Sequence, residues 1–360
     1  MRVRSGFLRA TARMMTVVAV GGLAVATPHA TAEPTIYEYP PTVPLATPCE
    51  IEFDATGTAW VEEIAGNAIT RLDPATGAMT RFPLTNPAGI PSGMEFGPDG
   101  HLWFSEVAGN AIVRLDPADG SMESFPMPYT GTLLDNLPLG IRATIDVSGN
   151  KDRGMWFTMA GLNAIGRIDI DTKQFTSYPL PTPGAVPLII QPGPGNTMVF
   201  SELLGNKIAT IDVTTKEIRE YPVHTPASLV QGVTTAADGT VWWTGTGGQQ
   251  LGTLNVTTGA VREIPIIPLR TTGPLPISIG NPLPMPGPVR IGSDGTIYFA
   301  EGNLVFAGNK VGQYNPRTNT LREFPTPTPL SAPCDLNNQH PGKIYFGEFT
   351  GNRVGRLTYG

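Results

Sequence analysis

Apolar and polar residues alternate in short bursts along residues 91–126, PSGMEFGPDGHLWFSEVAGNAIVRLDPADGSMESFP. Four runs of about five residues, 93–96, 102–105, 111–116 and 121–125, are divided by Gly97-Pro98-Asp99-Gly100, Ala108-Gly109-Asn110 and Pro117-Ala118-Asp119-Gly120. Runs of that length between Asp-Gly and Gly-Asn clusters predict an antiparallel meander of four strands. After the first thirty residues no stretch has helical periodicity long enough to predict a helix. A single such sheet cannot bury both of its faces, so it needs copies of itself.

The chain supplies them. Aligning on the residue that anchors the second run gives Trp60, Trp103, Trp156, Val199, Trp242, Tyr298 and Tyr345, spaced by 43, 53, 43, 43, 56 and 47 residues. A period of about 40–50 residues with four short strands per unit predicts a β-propeller. A proline stands twelve residues before the anchor in five copies, at Pro48, Pro91, Pro187, Pro286 and Pro333, with Pro138 further back and Val230 in its place. Six copies close on an aromatic or Ile followed by proline, a residue tolerated on an edge strand. The seventh copy stops after its third strand, and residues 35–40, TIYEYP, match the fourth strand IREYP at 218–222. The expectation is an all-β fold: a seven-bladed β-propeller of four-stranded antiparallel blades, forming one domain over residues 33–360 and closed by the N-terminal strand. Residues 129–137, 266–285 and 302–308 lengthen connections on one face, where binding usually resides.

Composition fits. The 360 residues include 42 Gly and 37 Pro, only 15% are charged, and 40% hydrophobic residues suffice for a core. Residues 1–32 read as an export signal, with Arg2, Arg4, Arg9 and Arg13, an apolar run over 14–26, and Ala30-Thr31-Ala32 before Glu33. The expected location is therefore secreted or extracytoplasmic. Cleavage leaves 20 basic against 30 acidic residues, a net charge of −10 with no basic stripe, so nucleic acid is not an expected partner, and with no other segment long and apolar enough to cross a bilayer neither is a membrane.

The pattern Pro-x-Gly, then Pro-Asp-Gly-x-Leu-Trp-Phe-x-Glu, then Asn-x-Ile-x-Arg-Leu over residues 91–115 resembles the streptogramin B lyases, also called virginiamycin B lyases. Residues 164–168 and 206–208 echo it, and the resemblance covers nearly all of the chain after residue 32. It implies a propeller enzyme that opens a cyclic depsipeptide by elimination, with a histidine base, an assisting glutamate and Mg²⁺. In that family the histidine is the x of Pro-x-Gly and the glutamate follows fourteen residues later. Here the glutamate position holds Glu63, Glu106, Glu202, Glu301 and Glu348, with Met159 and Gly245 in the other two blades. The x positions hold Cys49, Ser92, Leu139, Leu188, Gln231, Gly287 and Cys334, none of which takes a proton as imidazole does near neutral pH. His29 leaves with the signal, and His101 and His340 fall in first turns on the opposite face. His224, in a blade connection on the glutamate face, is the remaining candidate base, with Glu106, Glu202 and Glu301 as further catalytic candidates.

Glu63, Glu106 and Glu348, with Asn67, Asn110, Asn206 and Asn352 nearby, are candidates to hold Mg²⁺ or Ca²⁺. The alternative is that these groups bond turn backbone, with Asn accepting left-handed geometry. Glu52, Glu95, Arg142, Gln191, Thr234, Arg290 and Asn337 share one register on the innermost strands, which makes Arg142 and Arg290 ligand-face candidates and Glu95–Arg142 a candidate ion pair. Cys49 and Cys334 are the only cysteines and occupy one repeat position in blades 1 and 7, which predicts a disulfide across the ring closure. The functional expectation is a monomeric binding propeller taking a small molecule or protein on its loop-rich face. The alternatives are a lyase-like enzyme with a replaced base and a metal-dependent lactonase-type hydrolase.

Overall fold

The computed structural model describes residues 33–41, 43–129, 138–143, 152–266, 285–302 and 308–359, the segment 138–143 by its backbone alone. The expected signal segment 1–32 and most of the three lengthened connections lie outside these residues. Among the described residues every element is a strand, and the strands form seven four-stranded antiparallel sheets. The protein is a seven-bladed β-propeller. The innermost strands are β2 (Pro48–Phe53), β6 (Pro91–Phe96), β10 (Pro138–Ala143), β14 (Pro187–Pro192), β18 (Val230–Thr235), β22 (Pro286–Ile291) and β26 (Pro333–Asn337).

The predicted closure is present. β1 (Thr35–Tyr39) pairs antiparallel with β28 (Arg353–Thr358), Thr35 opposite Thr358 and Tyr39 opposite Val354, as the outer strand of blade 7. The innermost strand β26 of that blade packs against β2 of blade 1.

The anchor residues sit in one register. Glu52 faces Trp60, Glu95 faces Trp103, Arg142 faces Trp156 and Arg290 faces Tyr298 across the inner strand pair. The anchors Trp60, Trp103, Trp156, Tyr298 and Tyr345 are buried between blades, where large rings contribute most to burial. Third-strand glycines make room for other rings. A Cβ on Gly166, Gly252, Gly312 or Gly355 would stand 2.2 Å from the ring of Phe157, Trp243, Phe299 or Phe346.

A feature not foreseen from the repeat lies at the start of every inner strand. The register shifts there in all seven blades, between Pro48 and Ile51, Ser92 and Met94, Leu139 and Ile141, and at the four equivalent places. Pro-x-Gly is therefore a β-bulge, which interrupts pairing and re-aims the side chain it carries. Gly93, at φ 66°, adopts the left-handed geometry that glycine accepts without steric cost.

Candidate functional site

The bulges line one mouth of the central channel, so the x residues of Pro-x-Gly stand there. Two of them are joined. Cys49 and Cys334 form a disulfide with Cα atoms 5.0 Å apart, across the boundary of blades 1 and 7.

The five repeat glutamates share the face but do not converge. Each is buried within its own blade, between 0% and 3% exposed. Glu63 accepts hydrogen bonds from Thr70 Oγ1 and Arg81 Nε, both at 2.7 Å. Glu301 faces Lys310 across the strand ladder, and Lys310 Nζ holds Glu323 at 3.0 Å. Burial, partly offset by Asn86, raises the pKa of Glu106. Burial and the neighbouring Glu220 push Glu202 to about 8, and burial and Glu38 push Glu348 to about 8. The neutral forms can share a proton with the paired carboxylate. Burial works against ionisation of Glu220 too, but hydrogen bonds from Lys207 and Thr182 hold its pKa below the usual value.

Those partners reveal a clasp that the sequence reading missed. Glu220 accepts from the backbone and hydroxyl of Thr182, Glu263 from those of Thr225, and Glu38 from those of Thr328. In each case an outer-strand glutamate two residues before the closing proline grips the connection arriving from the preceding blade. The signal was present, since each threonine stands three residues after a closing proline. Two further glutamates at the inner strands, Glu50 and Glu62, accept from Met94 N at 2.8 Å and Gly93 N at 3.2 Å, tying blade 1 to the bulge of blade 2.

The asparagines do what the structural alternative describes. Asn67, Asn110, Asn206 and Asn352 all have φ near +50°. Asn67 donates to Asn86 O and accepts from Ile90 N, Asn206 donates to Thr225 O and accepts from Ser228 N, and Asn352 donates to Val43 O and accepts from Thr47 N. Glu63, Glu106 and Glu348 lie in separate blades with separate partners, and among the described residues no three His, Cys, Asp or Glu side chains are grouped to hold a metal ion. Glu63, Glu106 and Glu348 are thus not brought together as the convergent oxygens that Mg²⁺ or Ca²⁺ takes.

The remaining candidates are spread out. His224 has a 74% exposed side chain, and its Nδ1 lies 3.6 Å from Glu263 on the outer strand, away from the channel. Arg290 is buried and pairs with Asp335 of β26 at 3.1 Å. Glu52 accepts from Asn337 at 3.2 Å and Gln339 at 3.0 Å. The side chain of Arg142, and with it the candidate Glu95–Arg142 pair, lies outside the described residues. His101 lies in a first turn beside Arg114 and Asp99. His340 packs edge-on against Phe53, and burial lowers its pKa.

Among the described residues, this face also carries exposed apolar side chains: Leu45 is 78% exposed, and Ile90 and Leu330 are exposed in the connections to neighbouring blades, while Leu204, 63% exposed, lies apart in blade 4. Leu45, Ile90 and Leu330 hold φ values of 59°, 58° and 53°, which branched side chains rarely adopt. Leu330, Leu45 and Ile90 lead into blades 7, 1 and 2, on either side of the disulfide.

Fold and mouth together define a class: propellers whose Pro-x-Gly bulges ring one end of the channel. The chain matches the virginiamycin B lyase family over residues 14–285, and it belongs to that family. It is similar to the crystal structure of virginiamycin B lyase from Staphylococcus aureus, at 26% identity and a TM-score of 0.77, covering 91% of this chain and 99% of that one. A catalytically inactive histidine-to-alanine variant of that enzyme with quinupristin is 25% identical over the same shares, with a TM-score of 0.77. Hydrazine synthase of Kuenenia stuttgartiensis, at 16% identity and a TM-score of 0.66 over 88% of this chain and 96% of that one, shares the fold alone. Among curated proteins, none matches the chain in sequence at the same level of significance.

Proposed function

We propose that the mature chain, residues 33–360, is an exported, monomeric binding propeller that takes an apolar small molecule or partner at the bulge-lined mouth and does not perform the family's elimination. The observation that carries this reading is the mouth itself. Two of the seven positions open to the family's histidine are consumed by the Cys49–Cys334 disulfide, and apolar side chains are held out in left-handed conformations around it. Large side chains fixed in costly backbone geometry and left in solvent are characteristic of recognition surfaces. The other five x positions hold Ser, Leu, Leu, Gln and Gly, and the repeat glutamates are buried within separate blades. The related enzyme is catalytically inactive when one histidine becomes alanine, which agrees with an inert chain here.

The test uses quinupristin with Mg²⁺ as substrate and a hydrophobic fluorescent dye as probe of the mouth. No linearisation at the family's rate is expected by mass spectrometry, because a placed general base is worth about 10²–10⁴-fold and none of the seven positions open to the family's histidine holds one. Leu45→Asp with Leu330→Asp should weaken dye binding by about tenfold. Robust turnover abolished by His224→Ala would overturn the non-catalytic part. Dye binding untouched by the two aspartates would overturn the apolar mouth.

A further inference from the structure

The opposite face carries a second opening. A groove of about 850 Å³ runs between blades 1 and 2, lined among others by Phe53, Trp60, Phe96, Arg71 and Thr80. The turns around Asp54, Asp73, Gly97 and Pro117 form its walls.

The first three blades share a cross-strand Trp–Arg pair: Trp60 with Arg71, Trp103 with Arg114, and Trp156 with Arg167. In blade 2, Arg114 is neutralised by Asp99 at 3.1 Å and by Glu123 at 3.3 Å. In blade 3, Arg167 pairs with Asp152 and with Asp169 at 3.2 Å. Asp99 and Asp152 stand four residues before their tryptophans, and the same place in blade 1 is Thr56. The turn aspartate of blade 1 has moved to Asp54. It still takes the Trp60 indole N–H at 3.0 Å, but its other oxygen is engaged by Thr56 and Thr58. The place of Glu123 is taken by Thr80, directly opposite Arg71. Among the described residues Arg71 is therefore left without an ion pair.

A second cation is missing too. Lys173 of blade 3 caps Trp103 at 5.0 Å, and Lys216 of blade 4 caps Trp156 at 4.8 Å. The matching turn of blade 2 carries Gly120, at φ 78°, so among the described residues the stacked Trp60–Phe82 pair has Arg71 as its one cationic neighbour, at 6.0 Å and 5.8 Å.

We propose that this groove is a ligand site in which Arg71 takes the carboxylate of a small organic acid with an aromatic or apolar body. A guanidinium fork matches a carboxylate in two parallel hydrogen bonds, and Phe53 and Phe96 offer apolar walls to the rest of the molecule. Asp54 and Asp73 also border the groove. Their oxygens are occupied by turn hydrogen bonds, and their charge favours a singly charged ligand over phosphate.

The site is independent of the proposed function of the mouth. Phenylacetate is the probe and inorganic phosphate the contrast, titrated against the purified chain by calorimetry and by tryptophan fluorescence. Phenylacetate should bind, and Arg71→Gln should weaken it by about tenfold or more. Thr80→Glu restores the internal partner that Arg114 has and should weaken it similarly with Arg71 still present. Thr80→Gln should bind as the parent does. Because Thr80 is exposed, the two Thr80 variants should keep the parent melting temperature. Failure of phenylacetate to bind, binding that survives Arg71→Gln or Thr80→Glu, or phosphate binding equally well would each overturn the proposal.

Discussion

Five glutamates at one repeat position look alike in the chain and are unlike in the molecule, because their partners arrive from elsewhere. Glu63 meets Arg81, whereas Glu202 and Glu348 each meet a second carboxylate, Glu220 and Glu38. The repeat made the position legible, and the structural role of the asparagines with it. The neighbours were not legible, since they come from outer strands and from the previous blade's connection. The consequence is a pH dependence with a definite sign. Carboxyls with a folded pKa of about 8 keep protons that the unfolded chain gives up near pH 4.3. Their stabilising effect is complete at low pH and is lost as pH rises through about 8, on the order of a few kcal/mol. Glu202→Gln and Glu348→Gln should therefore melt above the parent by a few degrees at pH 8.5, with the gap closing towards pH 5. Melting curves of variants and parent that stay parallel across that range would refute the assignment.

At the scale of elements, the anchor spacing carried the reading, and every inner-strand register inferred from it is present. The bulge at Pro-x-Gly escaped, because a register shift leaves no mark in an alternation of five residues. The strand β1 was legible from its likeness to 218–222, but the extent of its bonding was not. Besides its ladder with β28, its Glu38 grips Thr328 before blade 7 and its Tyr39 hydroxyl donates to Pro74 O in blade 1 at 2.9 Å. Removing residues 35–40 thus strips contacts to three parts of the ring and bares an unpaired sheet edge. A melting temperature lower by about 5 °C or more, or aggregation, is expected. A truncated chain that melts with the parent would show that β1 contributes nothing to closure.

For the whole molecule, two devices hold the ring shut at one boundary: β1 in blade 7 and the disulfide from blade 7 to blade 1. Closure by the cysteines could be read from two equal repeat positions, since seven blades make the first and last neighbours. The apolar mouth and the groove at Arg71 could not be read, because both depend on which side chains in adjacent blades fail to cover one another. The disulfide spans 285 residues, and the chain-entropy description gives it up to about 5 kcal/mol. Replacing Cys49 and Cys334 together by serine should lower the urea midpoint below that of the oxidised parent in non-reducing buffer, with a somewhat steeper transition because the unlinked unfolded chain exposes more surface. Equal midpoints for the variant and the oxidised parent would show that strand pairing alone suffices. The same bond changes what a protease can accomplish. Nearly every turn and every connection from blade to blade lies between the two cysteines, so one cut there opens the backbone without freeing a fragment. Such a nicked particle remains a single molecule, and it comes apart covalently only where a reductant is also present.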